Sequence, residues 1–117
     1  MNYSAKGKVR SGDKRGRILG FPTANINLHK NIPDGVYISD VILKDKKYRA
    51  ATFVGAAESF GKKDKKIESY ILDFDKDIYG EWMTVKFYKK IRGNKKFKNE
   101  RELIEQIKKD IKIVENF

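Results

Sequence analysis

From Gly35 to Ile91 the chain keeps a two-residue rhythm broken only by turns, and a helical rhythm sets in only after Asn99. That order constrains the fold more than any other feature. Gly35–Leu43 carries Val36, Tyr37, Ile38, Val41, Ile42 and Leu43, the β-branched, aromatic and aliphatic residues that suit a pleated surface. Pro33-Asp34-Gly35 is the turn ahead of it, and Asp45-Lys46 reads as a hairpin turn into a strand over Tyr48–Val54. Further strands are expected over Ile67–Phe74 and Trp82–Ile91, and shorter ones over Lys6–Arg10, anchored by Val9, and around Ile26-Asn27-Leu28. Asn99 with Glu102 three residues on forms a capping box, and Leu103, Ile104, Ile107, Ile111 and Val114 fall on one helical stripe. Glu105 and Lys109 are spaced as an i, i+4 pair. Strands without intervening helices exclude a Rossmann or P-loop fold. The expected architecture is mainly β: about six short antiparallel strands closing a small barrel or sandwich, with one C-terminal helix.

The 117 residues suit a single domain spanning 1–117, and 39% hydrophobic content is enough for one modest core. With no Cys and a lone His29, thiolate sites, disulfides, His metal clusters and His-based triads are excluded. The N-terminus has no signal-peptide core and no run is long enough to span a membrane, so a cytoplasmic protein with no membrane partner is expected. Lys and Arg number 27 against 16 Asp and Glu, a net charge of +11. Such a surplus suits anionic partners; much of it lies in Lys-Lys pairs, which also read as a solvated surface.

Three stretches carry chemistry. Gly12-Asp13-Lys14-Arg15-Gly16-Arg17-Ile18-Leu19-Gly20 leads into Phe21-Pro22-Thr23-Ala24-Asn25. Glycines bare the backbone N–H groups that hold anions, and Arg and Lys neutralise charge; the same run also reads as an ordinary polar turn. Thr23 and Asn25 offer neutral oxygens suited to Mg²⁺, on a segment stiffened by Pro22. Glu68 shares a strand face with Tyr70, Leu72 and Phe74. A carboxylate on an apolar face is either a general base or a strand-end group turned to water. Ile91-Arg92-Gly93-Asn94-Lys95-Lys96-Phe97 reads as a clamp for an anionic or planar ligand, or as a basic loop entering the helix. Gly55–Lys66, with little but Phe60 to bury, reads as a mobile flap.

In order along nearly the whole chain, Leu19-Gly20-Phe21-Pro22-Thr23-Ala24-Asn25, Gly35-Val36-Tyr37, Ile67-Glu68-x-Tyr70, Asp73-Phe74-Asp75-Lys76-Asp77-Ile78-Tyr79-Gly80, Ile91-Arg92 and Lys96-Phe97 closely resemble the riboflavin kinase family. The resemblance implies a six-stranded antiparallel Greek-key barrel with a C-terminal helix. It also implies transfer of the ATP γ-phosphoryl group to the 5′-hydroxyl of riboflavin, giving FMN and ADP. Carried over by position, Gly12, Arg17, Gly20, Pro22, Thr23, Asn25, Ile71, Asp73 and Tyr79 fall to the nucleotide, with Thr23 and Asn25 at the Mg²⁺–ATP positions. Glu68 matches the catalytic carboxylate, and Arg92, Lys95 and Phe97 fall near the flavin.

One departure stands out. Gly55-Ala56-Ala57-Glu58-Ser59-Phe60 replaces the family's Gly-x-x-Pro-Thr-Phe run. In bacteria the kinase domain is usually fused to an FMN adenylyltransferase domain, and this chain reads as a stand-alone kinase or an excised domain. The competing reading is a basic barrel that binds single-stranded nucleic acid, or senses flavin, without turnover. It accounts for the charge but not for Pro-Thr-Ala-Asn or Glu68, so no nucleic-acid partner is expected.

Overall fold

The computed structural model describes residues 3–10, 23–28, 30–56, 65–74 and 76–117. Among them are six strands: β1 (Ser4–Lys8), β2 (Ala24–Asn27), β3 (Gly35–Leu43), β4 (Lys46–Ala56), β5 (Lys65–Ile71) and β6 (Trp82–Arg92). One helix, α1 (Glu100–Glu115), follows. The sheet order is β1-β6-β3-β4-β5-β2, and every neighbouring pair is antiparallel. β3, β4 and β5 are consecutive neighbours and β6 returns to lie beside β3, which is the Greek-key order. The two ends of the sheet meet: Arg10 N donates to Asn25 O at 2.8 Å, and the two residues form a bridge. The result is a nearly closed barrel.

Its interior is lined by alternate residues of all six strands, among them Ala5, Ile26, Tyr37, Val41, Val54, Ile67, Met83, Val85 and Phe87. The Tyr37 and Phe87 rings meet edge to face at 5.0 Å, and Tyr37 donates from its buried body to Pro33 O. Ser39, Thr52 and Ser69 project into the same interior and are fully buried. Ser39 donates to Ala50 O at 3.1 Å, and a carbonyl can only accept. Thr52 therefore donates to Ser39 and Ser69 to Thr52, the latter at 2.9 Å, so all three hydroxyls are satisfied in one direction.

A second apolar cluster lies outside the barrel. Ile38, Ala51 and Val114 are buried there, with Phe53, Tyr70, Leu72 and Ile91 packed against them. Covered inside by the core and outside by this cluster, β3 is buried at nearly every position. At its start Gly35 takes φ 151°, and an added Cβ would lie 2.7 Å from the Arg92 carbonyl. Only glycine allows β3 and β6 to approach that closely. Farther along the outer face, Asp40 accepts from the Tyr88 hydroxyl at 2.6 Å and lies 3.3 Å from Arg49 Nε. That bond to Asp40 is the main cause holding the Tyr88 phenol above its usual pKa.

Several expectations shift. β1 begins at Ser4 and ends at Lys8 rather than covering Lys6–Arg10. The β3–β4 turn is Lys44-Asp45 rather than Asp45-Lys46, because both strands pair through Leu43↔Lys46. β5 stops at Ile71 instead of Phe74, because the chain turns at Leu72-Asp73 while β4 runs on to Lys46 beside β3. Asp73 is thus not a strand residue: it sits exposed in a turn at φ 54°, a left-handed conformation that Asp tolerates better than most. Glu105 pairs with Arg101 at 3.4 Å rather than with Lys109. The Gly55–Lys66 flap shrinks, because β4 runs to Ala56 and β5 begins at Lys65; residues 57–64 lie outside the described residues.

Candidate active site

The pairing of β2 with β5 brings together two residues far apart in sequence. Asn25 stands directly opposite Glu68, and Phe53 of β4 stands opposite Glu68 on its other side. Directly paired residues share a face, so the three form a row across the outer side of the barrel. Glu68 and Phe53 are half-buried and Asn25 is 7% exposed. Of the face expected around Glu68, Tyr70 and Leu72 pack in the outer cluster, whereas Phe74, beyond the turn that ends β5, packs against the barrel core; Ile67, Ser69 and Ile71 fill the barrel.

Asn25 donates from Nδ2 to Thr23 O at 3.4 Å, while its Oδ1 is buried with no hydrogen-bond partner. An orphaned buried oxygen calls for an explanation, and a hard cation that takes oxygen ligands supplies one. No group of three or more His, Cys, Asp or Glu that could hold a metal occurs among the described residues. A cation at this oxygen would be held by neutral donors and by phosphates brought with it, a donor set that Mg²⁺ accepts.

Around the end of β2 lies a cleft of about 450 Å³. Thr23, Ile71 and Tyr79 all line it, together with Phe74, Lys76 and Ile78. Two backbone bonds hold its rim to β1: Gly80 N to Val9 O and Val9 N to Glu81 O, both 2.9 Å. Asp77 caps the turn by accepting from Tyr79 N at 3.1 Å. Asp73 does not line this cleft. Gly12, Arg17, Gly20 and Pro22 lie outside the described residues.

Arg92, at the end of β6, is held by the helix. It donates to both carboxylate oxygens of Asp110, from Nε at 3.0 and 3.2 Å and from one terminal nitrogen at 2.8 Å. Its other terminal nitrogen donates to Gly93 O at 3.1 Å. The guanidinium carbon lies 6.0 Å from the Phe97 ring. Beyond it, Asn94 Nδ2 donates to Val54 O at 3.2 Å, tying the same segment to β4 beside Phe53. Lys95 is exposed and Phe97 half-buried.

The comparisons with known proteins converge on one family. The model described as Flavokinase, riboflavin kinase, matches residues 1–117. A bifunctional riboflavin kinase/FMN adenylyltransferase of Bacillus subtilis is 39% identical over 92% of this chain and 36% of its own length. The chain belongs to the riboflavin kinase family. Among solved structures, riboflavin kinase from Trypanosoma brucei matches with TM-score 0.68 and 25% identity over 97% of this chain and 77% of its own. A Streptococcus pneumoniae chain described as a macrolide-efflux protein matches with TM-score 0.90 and 38% identity, over 99% of this chain and 39% of its own. The chain thus spans little more than a third of the Bacillus and Streptococcus relatives. Among the described residues, no helix is long and apolar enough to cross a membrane.

Two residues of this candidate site escaped the sequence reading. Phe53 becomes visible only through the β4–β5 register. Asp110 carried a signal: it is three residues after Ile107 and four before Val114, so it lies on the buried stripe of α1.

Proposed function

We propose that this chain transfers the γ-phosphoryl group of ATP to the 5′-hydroxyl of riboflavin, giving FMN and ADP. The observation that carries the reading is the direct pairing of Asn25 with Glu68. It sets a buried amide oxygen that would ligate the Mg²⁺ of an Mg²⁺–ATP complex beside a carboxylate that would take a proton. Phosphoryl transfer asks the protein for alignment, charge neutralisation and a group that orients the nucleophile. Thr23 and Asn25 would hold Mg²⁺, which neutralises charge on the phosphates when bound. Glu68 accepts the proton of the 5′-hydroxyl as its oxygen bonds to the γ-phosphorus and the bond to the ADP oxygen breaks. Half-burial against Phe53 limits the water competing for that carboxylate.

The cleft lined by Thr23, Ile71 and Tyr79 suits the nucleotide, and the glycine-rich, basic sequence of Gly12–Gly20 has the composition to hold its phosphates. The aromatic face by Phe53 and the Arg92–Phe97 segment, which includes Lys95, suit the flavin. A family match over residues 1–117 favours this reading over a binding module without turnover. A cytoplasmic setting agrees with it. Because relatives are named for two activities, an FMN adenylyltransferase unit, in the same chain or a separate one, is the corresponding proposal for what consumes the product.

The test is FMN formation from riboflavin, ATP and Mg²⁺, followed by chromatography. Glu68→Gln is expected to lower turnover by about 10²- to 10³-fold, the scale of a lost general base, with riboflavin binding nearly retained. Absence of FMN from correctly folded wild-type protein overturns the function; undiminished turnover of the Gln variant removes Glu68 from the base role.

A further inference from the structure

Asp110 is fully buried on the apolar stripe of α1, between Ile107 and Val114. Both of its oxygens are engaged: Arg92 forks across them, and Gln106 Nε2 donates to Oδ1 at 3.0 Å. Stability alone does not call for such a pair. Replacing a buried ion pair with well-packed apolar residues is often neutral or stabilising. What the pair does supply is direction. A bidentate guanidinium has a fixed plane, and Arg92 is the last residue of β6, where regular pairing ends and the segment to Lys98 begins. The Arg92 plane holds Gly93 through its carbonyl and lies near the Phe97 ring. At Asn94 the segment is fastened again, to Val54 next to Phe53. The strap is thus anchored to α1 at its start through Arg92 and at its end through Lys98 N, which donates to Glu102 at 3.2 Å, and to β4 at Asn94, and the β4 anchor adjoins the row that contains Glu68.

We propose that Asp110 is a positioning residue for the flavin: by fixing the Arg92 guanidinium it sets where the Gly93–Lys98 strap presents Phe97 and Lys95. This rests on the flavin lying against that strap, as in the function proposed above. Arg92 then acts chiefly as a structural relay between α1 and the strap rather than as a free cation clamping ligand. Nothing in the arrangement reaches the nucleotide cleft, whose lining contains neither Arg92, Asp110 nor any strap residue. Flavin and nucleotide affinities are therefore expected to separate.

The experiment compares wild type, Asp110→Asn, and the double variant Arg92→Met with Asp110→Leu, which refills the interface with apolar groups. For each, the KM of riboflavin and of ATP is measured separately, riboflavin binding is titrated by flavin fluorescence, and thermal unfolding is recorded. Asp110→Asn is expected to raise the riboflavin KM and dissociation constant about tenfold or more, with the ATP KM within about twofold. The double variant is expected to regain the wild-type melting temperature and keep the weakened riboflavin binding. If Asp110→Asn does not fold, the double variant alone carries the test. A double variant with native riboflavin KM, or equal losses for riboflavin and ATP, shows Asp110 to be merely structural and overturns the inference while leaving the function intact. A folded wild-type chain that makes no FMN overturns both.

Discussion

At the scale of residues, the proposed site rests on two oxygens of opposite character. Glu68 supplies a charged acceptor on an aromatic face, and Asn25 supplies a neutral acceptor buried without a partner. An amide oxygen left unpaired in the interior costs on the order of 1–3 kcal/mol. A bound cation would recover that loss, so metal and nucleotide binding should stabilise the fold as well as enable turnover. Thr23 sits at the junction of these roles: its carbonyl accepts from Asn25 and it lines the cleft. Thr23→Ala is expected to weaken nucleotide binding in the presence of Mg²⁺ about tenfold, roughly 1.4 kcal/mol, with little change when Mg²⁺ is withheld. Calorimetric titrations with ADP and with riboflavin, each with and without Mg²⁺, separate the effects. An equal loss for both ligands would assign Thr23 to structure alone.

At the scale of elements, α1 is the lid of the second apolar cluster, and its N-terminus directly follows the strap. Asn99 Oδ1 accepts from Glu102 N at 2.9 Å, while Glu102 reaches back to Lys98 N at 3.2 Å rather than to Asn99 N. The box therefore ties the last strap residue to the helix, one position earlier than the usual pattern. Asn99→Ala should lower stability by about 1 kcal/mol, read from the denaturant midpoint with an unchanged slope. A loss well below that would mean that packing of Ile107, Ile111 and Val114 alone fixes the helix start. Both rhythms, two for the strands and 3.6 for α1, are legible in the sequence because each element buries a definite face. Their ends are less so. β5 stops at Ile71 where the chain turns through Asp73 at φ 54°, although its partner β4 continues to Lys46, and Asp73 is the one hint of that turn in the sequence. Nor does alternation say which face of β5 is inside, since Ile67-Ser69-Ile71 and Tyr70-Leu72 are both apolar enough. The Asn25–Glu68 row was beyond reach for the same reason: it depends on β2 crossing to the far edge of the sheet. The individual residues could be named from family resemblance, whereas their adjacency is a product of topology.

At the scale of the whole molecule, closure of the barrel fixes the site, because β2 is an end strand paired along its length only with β5. Its other side faces β1 across a seam bridged by Arg10 and Asn25. Glycine makes that approach possible. A Cβ on Gly7 would lie 3.1 Å from Ile26 Cβ, an atom tied to the backbone, and Ile26 is only 1% exposed, so the neighbour has little room to yield. Gly7→Ala therefore sets two effects against each other. Alanine restricts the unfolded chain, which favours folding by about 0.4–1 kcal/mol. Crowding at a packed seam costs about 1–3 kcal/mol, so the net change is expected to be destabilising. The displacement also has a direction: β2 moves away from β1, taking Asn25 with it, while β5 keeps its pairing with β4. Mg²⁺–ADP binding should consequently weaken more than riboflavin binding, alongside a lower midpoint in urea. A variant that loses stability but keeps both affinities would show that the Asn25–Glu68 row is held by β5 alone and does not depend on closure.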